Sequence, residues 1–129
     1  MKQLIFIFLF AASFVGLNSC KKDTANDKIL INFFNKTGEK IQNATADNIS
    51  IGTIANNGQT GFISFEKFGT DTQKPDCKFV GLQNSDTLKC TSLFYWCGTE
   101  KSQLKPGQYN IEIKVYTNGT GKFFDLQFR

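Results

Sequence analysis

The stretch from Gln108 to Thr117 sets the first limit on what this chain can become: Tyr109, Ile111, Ile113 and Val115 alternate with Asn110, Glu112, Lys114 and Tyr116. A period of two puts the first set on one side of an extended strand and the second set on the other. A helix would scatter the same residues around its circumference. Asn118-Gly119-Thr120-Gly121 follows as a turn, after which Phe124, Leu126 and Phe128 alternate with Asp125, Gln127 and Arg129. The two segments are expected to pair antiparallel as a hairpin, each with one core face and one wet face.

The same grammar recurs upstream. Lys28 to Asn35 (KILINFFN) is rich in β-formers, and Lys36-Thr37-Gly38-Glu39 turns it into a short partner around Lys40 to Ala44. Asn48 to Ile54 follows, and Asn56-Asn57-Gly58 leads into Thr60 to Phe68. Lys78 to Gln83 and Thr87 to Thr91 read as a hairpin about Asn84-Ser85-Asp86. Pro75 and Pro106 fall in expected loops, and no segment carries a helical period. Seven to eight short strands with regular turn signals predict an all-β, antiparallel sandwich over residues 28–129.

Residues 1–19 have a different character. Lys2 precedes an apolar run from Leu4 to Phe10 that continues through Ala11, Ala12, Phe14 and Val15. This is the h-region of a signal peptide, shorter than the ~20 residues a permanent membrane helix needs. The run closes on Leu17-Asn18-Ser19-Cys20, which resembles a lipobox, the processing signal of bacterial lipoproteins. That resemblance implies cleavage before Cys20 and lipidation of its thiol, with two or more acyl chains giving a stable anchor. Residues 20–27 then form a lipidated tether, since Lys21 to Asp27 hold no apolar side chain larger than Ala25. Anchorage in the outer membrane, on its periplasmic face or at the cell surface, is the expected location.

The turn Asn-Lys-Thr-Gly-Glu, the strand Ile51-Gly52-Thr53-Ile54 and the opening Leu104-Lys105-Pro106-Gly107-Gln108-Tyr109 extend this likeness to the domain. Their order resembles the small lipoproteins of Bacteroidota that carry an Ig-like or transthyretin-like β-sandwich. The resemblance implies an Ig-like sandwich and says little of function, because such folds host many. Asp23-Thr24-Ala25 and Asp86-Thr87-Leu88 resemble O-glycosylation sites on envelope proteins of the same group, making Thr24 and Thr87 candidates.

Cys77, Cys90 and Cys97 remain once Cys20 is assigned to lipid, and an envelope location permits a disulfide. The hairpin places Cys77 at its open end, near where the chain returns at Cys97, which favours Cys77 with Cys97; Cys90 with Cys97 is the alternative. Cys90 shares a strand face with Leu88 and reads as a buried thiol.

Chemistry is more often excluded than suggested. The chain has no His, so neither a Ser-His-Asp nor a Cys-His arrangement can be built. No catalytic residue, metal site or cofactor is assigned. With 15 Lys+Arg against 11 Asp+Glu and no basic run beyond Lys21-Lys22, a nucleic-acid footprint is lacking. The carboxylates Asp47, Glu66, Asp71, Asp76, Asp86 and Glu100 sit in turn-like or polar segments where solvated acids are the rule. Phe94, Tyr95 and Trp96 form the candidate binding group, because three adjacent aromatics cannot all point inward from an extended segment.

The expected function is a non-catalytic, lipid-anchored module that binds or positions an envelope protein or glycan. The alternative is an inhibitor or immunity-type lipoprotein that plugs a secreted hydrolase with its cysteine-pinned loop. A carboxylate-based hydrolase is a distant third.

Overall fold

The computed structural model describes residues 27–71, 73–90 and 102–129. Cys20, Thr24, Phe94, Tyr95, Trp96, Cys97 and Glu100 lie outside the described residues, as do the signal segment and most of the tether.

Two four-stranded sheets face each other. One runs in the order β11 (Gly121–Phe128), β10 (Gly107–Asn118), β1 (Ile29–Asn35), β4 (Gln59–Phe65). The other runs β3 (Ile49–Ile54), β2 (Ile41–Ala46), β7 (Phe79–Gln83), β8 (Asp86–Lys89). These eight strands form an all-β sandwich in which neighbours are antiparallel, with one exception. Strands β1 and β10 run parallel, from Ile29 beside Gly107 to Asn35 beside Ile113. Alternation shows which face a residue takes but not which way its neighbour runs, so this pairing departs from the all-antiparallel expectation.

A third, small sheet holds β5 (Gly69–Asp71), β6 (Lys74–Asp76) and β9 (Ser102–Gln103) in the order β6-β5-β9. Pro75 therefore lies in a strand and not in the expected loop. Strand β6 is an edge, where a residue without an N–H does no harm to the ladder. The expected strand from Thr60 to Phe68 stops at Phe65, and Phe68 packs in the core from the connection beyond it.

The core is built as the alternation requires. Ile29, Ile31 and Phe33 of β1, Ile111 and Ile113 of β10, and Phe124 and Leu126 of β11 are buried against Ile41, Ala44, Ala46, Ile54, Phe79 and Leu88 of the facing sheet. Phenylalanines bridge the two layers: the rings of Phe33 and Phe79 are 5.5 Å apart, and Phe79 meets Phe124 edge-on at 5.2 Å. Cys77 joins this cluster. Removing apolar area of this kind from water is worth roughly 25 cal/mol per Å², and an edge-to-face ring pair adds somewhat more.

Turn chemistry closes the strands. Asp47 and Asn48 both take positive φ (48° and 67°) between β2 and β3, as do Asn84 and Ser85 (48° and 71°) between β7 and β8. Two left-handed residues in succession match the twist of a tight hairpin, and Asn and Asp tolerate that conformation best. At the opposite end of β10 from its hairpin, the Tyr109 hydroxyl donates to the Lys105 carbonyl at 3.0 Å, closing the Leu-Lys-Pro-Gly-Gln-Tyr segment on itself.

Among the described residues, one polar side chain is wholly enclosed. Asn35 ends β1 with its amide nitrogen donating to the carbonyl oxygens of Glu39 (2.7 Å), Ile54 (3.1 Å) and Ala55 (3.1 Å). Its Oδ1 accepts from the Thr37 amide and hydroxyl. Gln83 Nε2 donates to the same Thr37 hydroxyl, and Asn84 Nδ2 donates to Glu39. Three turns are thereby fastened at one end of the sandwich.

A cleft at the open flank of the sandwich

Strands β3 and β4 are consecutive in the chain yet belong to different sheets, each as an outermost strand. The turn between them is closed by Gly58 N, which donates to Ala55 O at 2.9 Å. At the far ends of the two strands the flank opens into a cleft of about 860 Å³. The other flank is joined by a parallel bridge between Cys90 and Phe124, which brings β8 against β11.

The cleft has an apolar wall and a charged rim. Ile49 from the start of β3 and Phe65 from the end of β4 supply the wall, beside the Ser64 hydroxyl. Asp27 and Lys28 come from the segment ahead of β1, Asp47 from the β2–β3 turn, and Glu66 and Lys67 from the connection after β4. A smaller recess of about 180 Å³ shares Asp47 and Lys67 and reaches Gly69, Asp76 and Gln103. Asp47 is held in place: its carboxylate accepts from Lys78 N at 2.7 Å.

Carboxylates and ammonium groups both line the cleft beside an apolar wall, which suits a ligand or partner segment that presents both signs of charge and a modest apolar group. Among the described residues, no group of three His, Cys, Asp or Glu is arranged to hold a metal ion. No helix among the described residues is long and apolar enough to cross a membrane.

Of the residues singled out from sequence, Asp47 and Glu66 come together on this cleft, and Asp76 lines the recess beside it. Asp71 lies half-buried in β5, and Asp86 is exposed at the start of β8. Thr87 is exposed, as a modification candidate must be. Among the described residues no two cysteines are joined to each other. The expected pairings both involve Cys97, which lies outside the described residues. Cys90 is half-buried beside Leu88; burial first, then the Asp125 and Asp76 carboxylates, push its thiol up from 9.0 to about 11. It is a protonated, weakly nucleophilic thiol at neutral pH.

The outer face of the β4-β1-β10-β11 sheet carries groups that the sequence did not single out. Asn32 of β1 donates its amide to Gln59 of β4 (3.1 Å) and reaches Asn110 of β10 (3.4 Å), forming an amide row across three strands. Phe62 stands beside that row, 48% exposed, and Tyr116 lies farther along β10, 52% exposed. Arg129 lies over the Phe34 ring at 4.7 Å and pairs with Glu112 at 3.7 Å. An exposed Phe on an edge strand breaks the wet-face pattern, and that break was the only signal available in sequence.

No family model, no curated protein and no solved structure matches this chain.

Proposed function

We propose that this chain is a lipid-anchored binding module of the bacterial cell envelope, held by Cys20 and non-catalytic. The observation that carries the reading is the cleft between the far ends of β3 and β4, where Asp27, Lys28, Asp47, Glu66 and Lys67 ring the Ile49–Phe65 wall. Binding sites combine an apolar surface with a few orienting polar groups, and this cleft offers both. Its position adds support. Asp27 and Lys28 belong to the segment that would lead back to the lipid, which supports a cleft at the anchor-proximal end of the domain.

In this reading the partner is another envelope component, a protein or a glycan, held close to the membrane. The test is a cross-linked pull-down of the membrane-extracted, full-length protein, compared with the Lys28→Glu/Lys67→Glu double variant. Both lysines are exposed, so the variant should keep the wild-type circular dichroism and melting behaviour. A partner enriched by the wild type and lost from the folded double variant supports the cleft as the binding site. Equal recovery by both proteins overturns it. Capture of a hydrolase with loss of its activity would convert the module into an inhibitor.

A further inference from the structure

Two Asn-Gly pairs sit at described turns: Asn57-Gly58 between β3 and β4, and Asn118-Gly119, where Asn118 ends β10 and Gly119 opens the turn to β11. In such a pair the glycine nitrogen can add to the asparagine side-chain carbon, because no Cβ on the following residue obstructs the approach. The two turns treat this chemistry in opposite ways.

At Asn118 the side-chain oxygen accepts from Thr120 N at 2.9 Å and from Thr120 Oγ1 at 2.6 Å. That oxygen is the atom that becomes negative when Gly119 N bonds to Cγ. Donors already aimed at a developing oxyanion lower the barrier to its formation. Asn118, Gly119 and Thr120 are all exposed, and nothing lies within 4 Å of the Cβ position at Gly119. At Asn57 the nucleophile is occupied, since Gly58 N donates to Ala55 O at 2.9 Å. The turn is also crowded there: a Cβ at Gly58 would stand 3.0 Å from Ala55 O and 3.2 Å from Ala55 Cβ.

From this contrast we infer that Asn118 is a self-modification site, converting to aspartate and isoaspartate without an enzyme, while Asn57 is protected. Gly119 N gives its proton to solvent base and bonds to Asn118 Cγ; the Cγ–NH2 bond breaks and ammonia leaves. Water then opens the five-membered imide at either carbonyl. No oxidant or reductant is involved. Isoaspartate lengthens the main chain by one methylene at the residue that pairs with Gly121, and it adds a carboxylate. The end of the β10–β11 hairpin is thereby loosened.

The experiment is incubation of the folded protein in warm, mildly alkaline buffer, followed by digestion and mass spectrometry that separates isoaspartyl from aspartyl peptides. The Asn118 peptide should gain the amide-to-acid mass and resolve into two isomers, at least severalfold faster than the Asn57 peptide. Thr120→Ala keeps the backbone donor and loses the hydroxyl, so it should slow Asn118 severalfold, and Thr120→Ser should restore the rate. In strong denaturant both Asn-Gly pairs should react alike. Equal rates at Asn57 and Asn118 in the folded protein would overturn the inference, as would a Thr120→Ala rate equal to the wild type.

Discussion

Asp47 and Lys78 hold each other through two reciprocal hydrogen bonds: the Asp47 carboxylate accepts from Lys78 N at 2.7 Å, and Asp47 N donates to Lys78 O at 3.0 Å. The β2–β3 turn is thus fastened to the residue ahead of β7, and a rim carboxylate of the cleft is fixed by a backbone partner. Asp47→Gly should lower stability by about 1–2 kcal/mol through loss of the charge-assisted bond. Asp47→Ala should cost more, because alanine is disfavoured at φ 48°. Urea midpoints of the two variants, compared with wild type, measure both effects.

Asn35 offers a sharper test of the polar end of the sandwich. Asn35→Ala takes the shared donor from the carbonyl oxygens of Glu39, Ile54 and Ala55, of which Ile54 is buried, and the expected cost is about 1–3 kcal/mol. Asn35→Asp is nearly isosteric and should be at least as damaging at neutral pH, since a carboxylate facing carbonyl oxygens has nothing to donate. Guanidinium unfolding followed by fluorescence would rank the two.

Gly81 of β7 is a steric test without a conformational component, because its φ is not positive. An added Cβ would lie 2.5 Å from Ile41 Cγ2. Gly81→Ala should therefore destabilise by about 1–3 kcal/mol through overpacking. A paired Gly81→Ala/Ile41→Leu change, which takes away the Cγ2 methyl that crowds the added Cβ while keeping side-chain volume, should recover part of the loss in thermal melts.

Cys90 gives a pH dependence. Its thiol is raised from 9.0 to about 11 by burial first and then by Asp125 and Asp76, with Lys74 and the Leu126 N–H acting the other way. Below pH 9 the thiol is protonated whether the chain is folded or not. Above that, the unfolded chain loses the proton first, so stability falls as pH rises from about 9 towards about 11. Alkylation of Cys90, read by peptide mapping, should be slow at pH 8 and should accelerate in Asp125→Asn, which removes one of the two raising carboxylates.

Cys20→Ser tests the anchor. In a Gram-negative bacterial host the wild-type chain should fractionate with membranes and carry acyl mass on Cys20, whereas the variant should lose both. A variant that remains fully membrane-bound would show that the anchor lies elsewhere.

Much of the fold was legible because long strands with one wet face write their period into the chain. Tyr109 to Val115 and Phe124 to Phe128 could be placed on a core face from alternation alone, and the turns Asn84-Ser85 and Asn118 to Gly121 carry residues that suit them. Strands β5, β6 and β9 are two or three residues long and show no period to read, which is why Pro75 looked like a loop residue. The cleft was illegible for another reason. Asp27, Asp47 and Glu66 lie some twenty residues apart from one to the next, and only the separation of β3 and β4 into different sheets gathers them. Phe94, Tyr95 and Trp96 lie outside the described residues.

The parallel pairing of β1 has a mechanical meaning. A load transmitted from the chain ahead of Asp27 enters the domain at the first residue of a central strand, laddered to β10 on one side and to β4 on the other. A pull along that strand strains both ladders at once in shear, and they cannot part rung by rung as a hairpin opened from its ends would. A protein tied to a surface by its N-terminal segment would resist being dragged apart at the place where the drag arrives.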